Sequence, residues 1–183
     1  TVEDWEGTIH TVPAGELRWM GARRTENLLT YSNDFTNAIW DDTNSFIGIS
    51  AETPPEGFDT VFDMYPATSG TYRKLRYGAV KIGAGNGMLL SFIAKANGFQ
   101  FISSLGDSGS SIGASFDLIN GTAAALPDEV ATITDVGTGY YRCEPYCTDG
   151  HYAHVFTAHA SLSSAYSSAN GTDGVLICGM QLE

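Results

Sequence analysis

Apolar and polar residues alternate with a period of two along much of this chain. Leu90, Phe92 and Ala94 fall on one side and Ser91, Ile93 and Lys95 on the other, the pattern of a strand with one face turned to a core. Similar runs predict strands over Thr60–Tyr65, Thr71–Val80, Phe99–Leu105, Ala114–Ile119, Val130–Thr134, Tyr140–Cys147, Tyr152–His159 and Val175–Leu182, all but Tyr152–His159 bounded on at least one side by Gly, Pro, Asn, Asp or Ser. Asn-Gly pairs at Asn86-Gly87, Asn97-Gly98, Asn120-Gly121 and Asn170-Gly171 favour the positive φ angles of type I′ hairpin turns and so mark strand ends. About eight or nine short strands at this spacing predict an all-β fold, a jelly-roll-like β-sandwich of two antiparallel sheets. One short helical turn is expected over Asp34–Ile39, capped by Ser32 or Asn33. Ser161–Asn170, rich in Ser and Ala, reads as a surface loop.

The first 26 residues differ in kind. Thr1–Glu26 carries Trp5, Trp19, Pro13, Gly15 and Arg23-Arg24, with apolar residues too scattered for a core. It is expected to form an extended N-terminal arm or connector at an oligomer interface, ahead of a sandwich domain over residues 27–183. Each Trp in such an arm could bury on the order of 150–250 Å² against a neighbour. Thr1 begins the chain with no charged-then-apolar leader, which suggests a portion of a longer polypeptide.

The 183 residues suit one domain, and 21 glycines with nine Tyr and nine Phe fit many strands joined by tight turns. A formal net charge of −12 argues against nucleic acid and anionic membrane as partners. No run reaches the roughly 18 apolar residues of a membrane-spanning helix, so membrane insertion is not expected. The odd set Cys143, Cys147 and Cys178 points to reduced thiols. On one strand Cys143 and Cys147 would stand roughly 13 Å apart, too far for one ion.

Several segments resemble, in order, a known family. Asn27-Leu28-Leu29 through Ser32, Asp34-Phe35, Asn37 and Trp40 is similar to the opening motif of phage-associated carbohydrate-binding-module-like sandwiches. Leu90–Ala96 resembles the family's "S-x-Y-x-K" strand, and Phe116-Asp117-Leu118 with Gly121-Thr122 its "F-D-L-x-x-G-T" hairpin. Gly137–Cys143 resembles the "G-x-G-W-Y-R" turn and strand, and Gly179–Glu183 the closing "G-x-Q-L-E". The chain departs from the pattern at Asn33, Ile93 and Tyr140, where an acidic residue, an aromatic and a Trp are common. Thr1–Arg24 also looks like the lead-in to such modules in phage tail proteins. The resemblance implies a receptor-binding domain of a bacteriophage tail fibre or spike. Such a domain is a virion component made in the host cytoplasm, commonly a homotrimer, and adheres to a bacterial surface glycan, lipopolysaccharide or capsule. The same motifs fit an accessory module of a secreted polysaccharide-degrading enzyme, or a purely structural virion domain.

Sugar recognition needs aromatic faces for the pyranose ring and planar polar groups for its hydroxyls. Tyr72, Arg73, Arg76 and Tyr77 cluster in one strand-like segment, and Tyr146, Asp149, His151 and Tyr152 surround a loop; these are the candidate carbohydrate-binding residues. Trp40, Tyr141 and Arg142 lie inside the shared motifs and are expected to be structural, with Arg142 paired to a carboxylate or to carbonyls near a sheet end. His151 and His159 would be separated by roughly 27 Å along one strand, and Asp41-Asp42 and Asp107 with Ser108–Ser111 read as solvated turn acids. No metal or cofactor is therefore expected. The chain has no nucleophile elbow, H-E-x-x-H helix or phosphate loop, so a binding module is expected, not an enzyme. With the overall charge negative, neutral sugars are favoured over densely anionic polymers unless a local Arg or a bound cation intervenes.

Overall fold

A computed structural model describes residues 2–3, 9–10, 27–68, 74–81, 88–105, 112–125, 130–147, 152–158 and 171–182. Among the described residues every regular element is a strand: β1 (Val2–Glu3), β2 (Ile9–His10), β3 (Trp40–Asp41), β4 (Ser45–Ile49), β5 (Phe62–Pro66), β6 (Leu75–Lys81) and β7 (Met88–Asn97) come first. They are followed by β8 (Phe101–Leu105), β9 (Ile112–Asp117), β10 (Thr122–Ala125), β11 (Val130–Gly137), β12 (Tyr140–Cys147), β13 (Tyr152–Ala158) and β14 (Gly174–Leu182). Two six-stranded sheets form the sandwich, one ordered β10-β9-β8-β13-β6-β3 and the other β11-β12-β7-β14-β5-β4. The pairings between strands are antiparallel. The all-β, jelly-roll-like sandwich expected from the alternation is therefore the observed fold. Near the N-terminus β1 and β2 pair with each other.

The alternation decides which side chains meet between the sheets. Trp40, Leu75, Tyr77, Ile102, Ala114 and Phe116 face inward from the first sheet, and Phe62, Met64, Leu90, Phe92, Ala94, Val175 and Ile177 from the second, all in one buried cluster. Aromatic edges join the layers: Phe92 and Phe116 meet with ring centroids 5.7 Å apart, and Phe35 stands edge-on to both Trp40 and Phe62. Such pairs contribute about 0.5–1.5 kcal/mol each beyond their buried area. Trp40 is structural, as the motif suggested, and its indole N–H donates to the Tyr31 carbonyl at 3.0 Å.

Three local expectations change. Over Asp34–Ile39 the chain makes successive turns, Asp34 N–H to Tyr31 O, Asn37 N–H to Asp34 O and Trp40 N–H to Asn37 O, with no helix. The cause is local competition: the Asp34 carboxylate accepts the Thr36 N–H and the Asn37 amide oxygen accepts the Ile39 N–H, which satisfies the backbone without a helical ladder. Asn97-Gly98 ends β7 but closes no hairpin, because the chain crosses there to β8 in the other sheet. At Asn120-Gly121 a hairpin does form between β9 and β10, with positive φ at Gly121 alone (64°). A type I′ turn needs both residues positive; here Asp117 organises a longer loop instead. Its carboxylate accepts the backbone N–H groups of Ile119 and Asn120 and the side-chain amides of Asn120 and Gln100, at 2.8–3.0 Å. Strands β1, β2, β3 and β4 lie outside the expected runs, being short or too weakly patterned, and β10 is the return strand of the hairpin expected at Asn120-Gly121. Asn86-Gly87 and the Ser161–Asn170 loop lie outside the described residues.

Burial works to raise the Asp117 pKa, but the hydrogen bonds from Asn120, Gln100 and Ile119 outweigh it and hold the carboxyl below its usual 3.8. A depressed folded-state pKa stabilises above the unfolded value and fades as pH falls through the folded one. Asp117→Ala should therefore lower the free energy of unfolding by about 2–3 kcal/mol near neutral pH, measured by urea titration. The gap between the two proteins should shrink progressively once pH drops below about 4.

Candidate functional site

The second sheet is apolar on both faces in its middle, and that decides where a site can form. Ile93, Tyr140, Leu176 and Cys178 point away from the main core, yet with Val61 they make a second buried cluster against which Phe58 packs. The cover is a strap, residues 50–60, connecting β4 to β5. The Tyr140 hydroxyl donates to the Thr53 carbonyl at 3.1 Å, Lys95 pairs with Glu52 at 3.3 Å, and the Lys95 ammonium lies 5.1 Å from the centre of the Tyr140 ring. Burial, followed by the charges of Cys178, Glu52 and Asp63, pushes the Tyr140 hydroxyl up to about 12.

Gly179 makes the close approach of the strap possible. It has φ +54° inside an irregular stretch of β14, and a Cβ there would run into the Phe58 ring. Beside it the segment that opens the sandwich lies along the end of β14. The Leu28 N–H donates to Leu182 O at 3.0 Å and the Met180 N–H to Ser32 O at 2.9 Å. Asn27 ties both chains together: its Oδ1 accepts the N–H groups of Leu29 and Leu182, and its Nδ2 donates to Met180 O.

Where the strap stops, a groove of about 420 Å³ is left on the outer face, within the roughly 300–1,000 Å³ common for ligand pockets. The strap's Phe58 and the row Arg142–Ile93–Cys178 mark its covered end, and the segment carrying Asn27, Ser32 and Asn33 forms a side wall. Ser91 opposite Gln181 comes next along the strands. The pair Leu89 and Tyr146 follows, with Leu89 in the lining and Tyr146 40 % exposed just beyond it. Of the apolar lining residues only Leu89 and Phe58 are partly exposed, Ile93 and Met180 being buried, and Arg142, Glu144, Gln181 and Asn33 give the groove a mainly polar lining of planar groups. Glu144 accepts a hydrogen bond from the Thr132 hydroxyl on β11 at 3.0 Å.

Of the residues expected from sequence to bind sugar, those among the described residues do not gather into one site. Tyr77 is 1 % exposed, stands edge-on to Trp40, and has its hydroxyl engaged with the Thr30 backbone and side chain; its ring is closed to a ligand. Arg76 is committed to Asp41 at 2.7 Å, with Lys74 3.9 Å from the same oxygen. Both arginine and tyrosine sit on β6 in the first sheet, whereas Tyr146 is on β12 in the second. Tyr152 lies on β13 opposite Lys81, next to β6. Tyr72, Arg73, Asp149 and His151 fall outside the described residues. Among the described ones, Tyr146 borders the groove. Arg142, expected to be structurally paired, instead lines it.

No group of three or more His, Cys, Asp or Glu that could hold a metal ion occurs among the described residues. Asp41 is held by cations and by the Thr43 hydroxyl, and Cys143 and Cys178 are buried free thiols. Tyr141 packs its ring against the main core, as its motif suggested. No family model and no curated protein matches the chain.

Burial pushes the Cys178 thiol up to about 12, and Phe58 belongs to the cover over it. Phe58→Ala should expose Cys178, so that alkylation at mildly alkaline pH, read at that residue by peptide mass spectrometry, accelerates by about tenfold or more. An unchanged rate would show that the strap is not what shields it.

Proposed function

We propose that this chain is a glycan-binding domain, and that it serves as the host-recognition part of a bacteriophage tail fibre or spike. The observation that carries the binding reading is the groove, in which planar polar groups stand around the partly exposed apolar side chains of Leu89 and Phe58. A pyranose ring has an apolar face and a rim of hydroxyls, and this lining offers a complement to each. Tyr146 at the open end adds an exposed aromatic face for a further ring. Glycoside cleavage commonly needs two facing carboxyl groups, and among the described lining residues Glu144 is the one carboxylate; this favours binding over turnover. The phage context draws on the ordered motifs of the sequence, of which Asn27, Trp40 and Gly121 do structural work in this fold.

Purified domain added before phage should compete for adsorption to the host, and polysaccharide from the same cells should bind the domain in solution. Gln181→Ala and Glu144→Ala should each weaken that binding by about tenfold, about 1.4 kcal/mol. Circular dichroism and thermal unfolding establish that the variants remain folded. Light scattering on the same sample tests for a trimer. If cell polysaccharide fails to bind, or if both variants bind as the parent does, the groove is not a glycan site.

A further inference from the structure

We propose that the groove selects glycans bearing a carboxylate, and that the Arg142 guanidinium is the group that recognises it. The inference rests on the glycan-binding reading and names the class of sugar.

Arg142 stands, exposed, on the outer face of β12 between Thr134 of the edge strand β11 and Ile93 of β7. The ion pairs among the described residues are Lys74–Asp41, Arg76–Asp41 and Lys95–Glu52. Arg142 therefore has no carboxylate partner among them. Glu144, two residues along on the same strand face, is the obvious candidate. It is engaged instead by Thr132 on the opposite side from β7, which leaves the guanidinium fork available to the groove.

A guanidinium presents two parallel N–H donors that match a carboxylate bidentately, a geometry that a neutral hydroxyl cannot repeat. Ile93 is its cross-strand neighbour and is buried, while Arg142 itself is exposed, so the guanidinium is within reach of a ligand in the groove. The chain as a whole carries a net charge of −12, so it repels densely charged polymers at long range. The fit is to a glycan with isolated acidic sugars among neutral ones. A phosphate carries more negative charge beside Glu144, so the planar monoanion is the better match.

The test uses bacterial capsule and O-antigen oligosaccharides that contain a uronic acid in each repeat, every one beside its own carboxyl-reduced form, with a phosphate-substituted neutral oligosaccharide as a third arm. Titration calorimetry should find the native form bound about ten- to hundredfold more tightly than the reduced one. That preference should decline between about 0.05 and 0.5 M salt. Arg142→Gln should erase the preference while the neutral forms still bind, and Arg142→Lys should restore only part of it. Equal binding of native and reduced forms, a preference that survives in Arg142→Gln, or tight binding confined to the phosphate arm would each overturn the inference and leave the glycan reading standing. Failure of folded parent protein to bind any arm would overturn both.

Discussion

The second sheet has apolar side chains on both of its faces, and the outer set has to be taken out of water. Val175 and Ile177 of β14 enter the main core while Leu176 and Cys178 between them enter a second buried cluster. Exposed, those outer residues would cost roughly 25 cal/mol for every Å² of apolar surface. The chain meets the constraint with two coverings, the strap carrying Phe58 and the segment from Asn27 to Asn33. The groove is what these coverings leave open. Its position thus follows from the packing of a two-faced sheet.

Each covering is fixed by a few polar contacts, so the groove has defined walls. Thr53 and Glu52 anchor the strap to Tyr140 and Lys95, and Asn27 anchors the opening segment to the end of β14. The floor belongs to strands in register with a buried core, which places the polar groups of β12 and β14 on a rigid scaffold. That is the arrangement in which planar side chains can distinguish one hydroxyl pattern from another without a large ordering cost.

Much of the sandwich was legible in the sequence, because a period of two in apolar residues states which face is buried. Strand β12 runs over the very residues expected, Tyr140–Cys147, and β7 has the expected inner face of Leu90, Phe92 and Ala94. The site was far less legible. Aromatic and charged residues close together in sequence suggested a cluster on β6, but Tyr77 turned into the core and Arg76 was neutralised by Asp41, brought from β3 thirty-five positions away. A signal that could have pointed to the groove is the run Val175-Leu176-Ile177-Cys178, apolar without alternation. Such a run marks a strand covered on both sides, and a cover of limited length has an edge where it ends. Ile93, placed on the polar side of β7 by simple alternation, carries the same message.

The hydrogen bonds of Asn27 have a mechanical meaning as well. They fasten the first residues of the sandwich to its last strand, and the groove is lined from both, with Asn27 and Asn33 on one and Gln181 on the other. A molecule seated between them would act as a rivet across that seam. Detaching the last strand would require first expelling the guest, so tension carried along the backbone would be resisted most firmly while the protein is holding on.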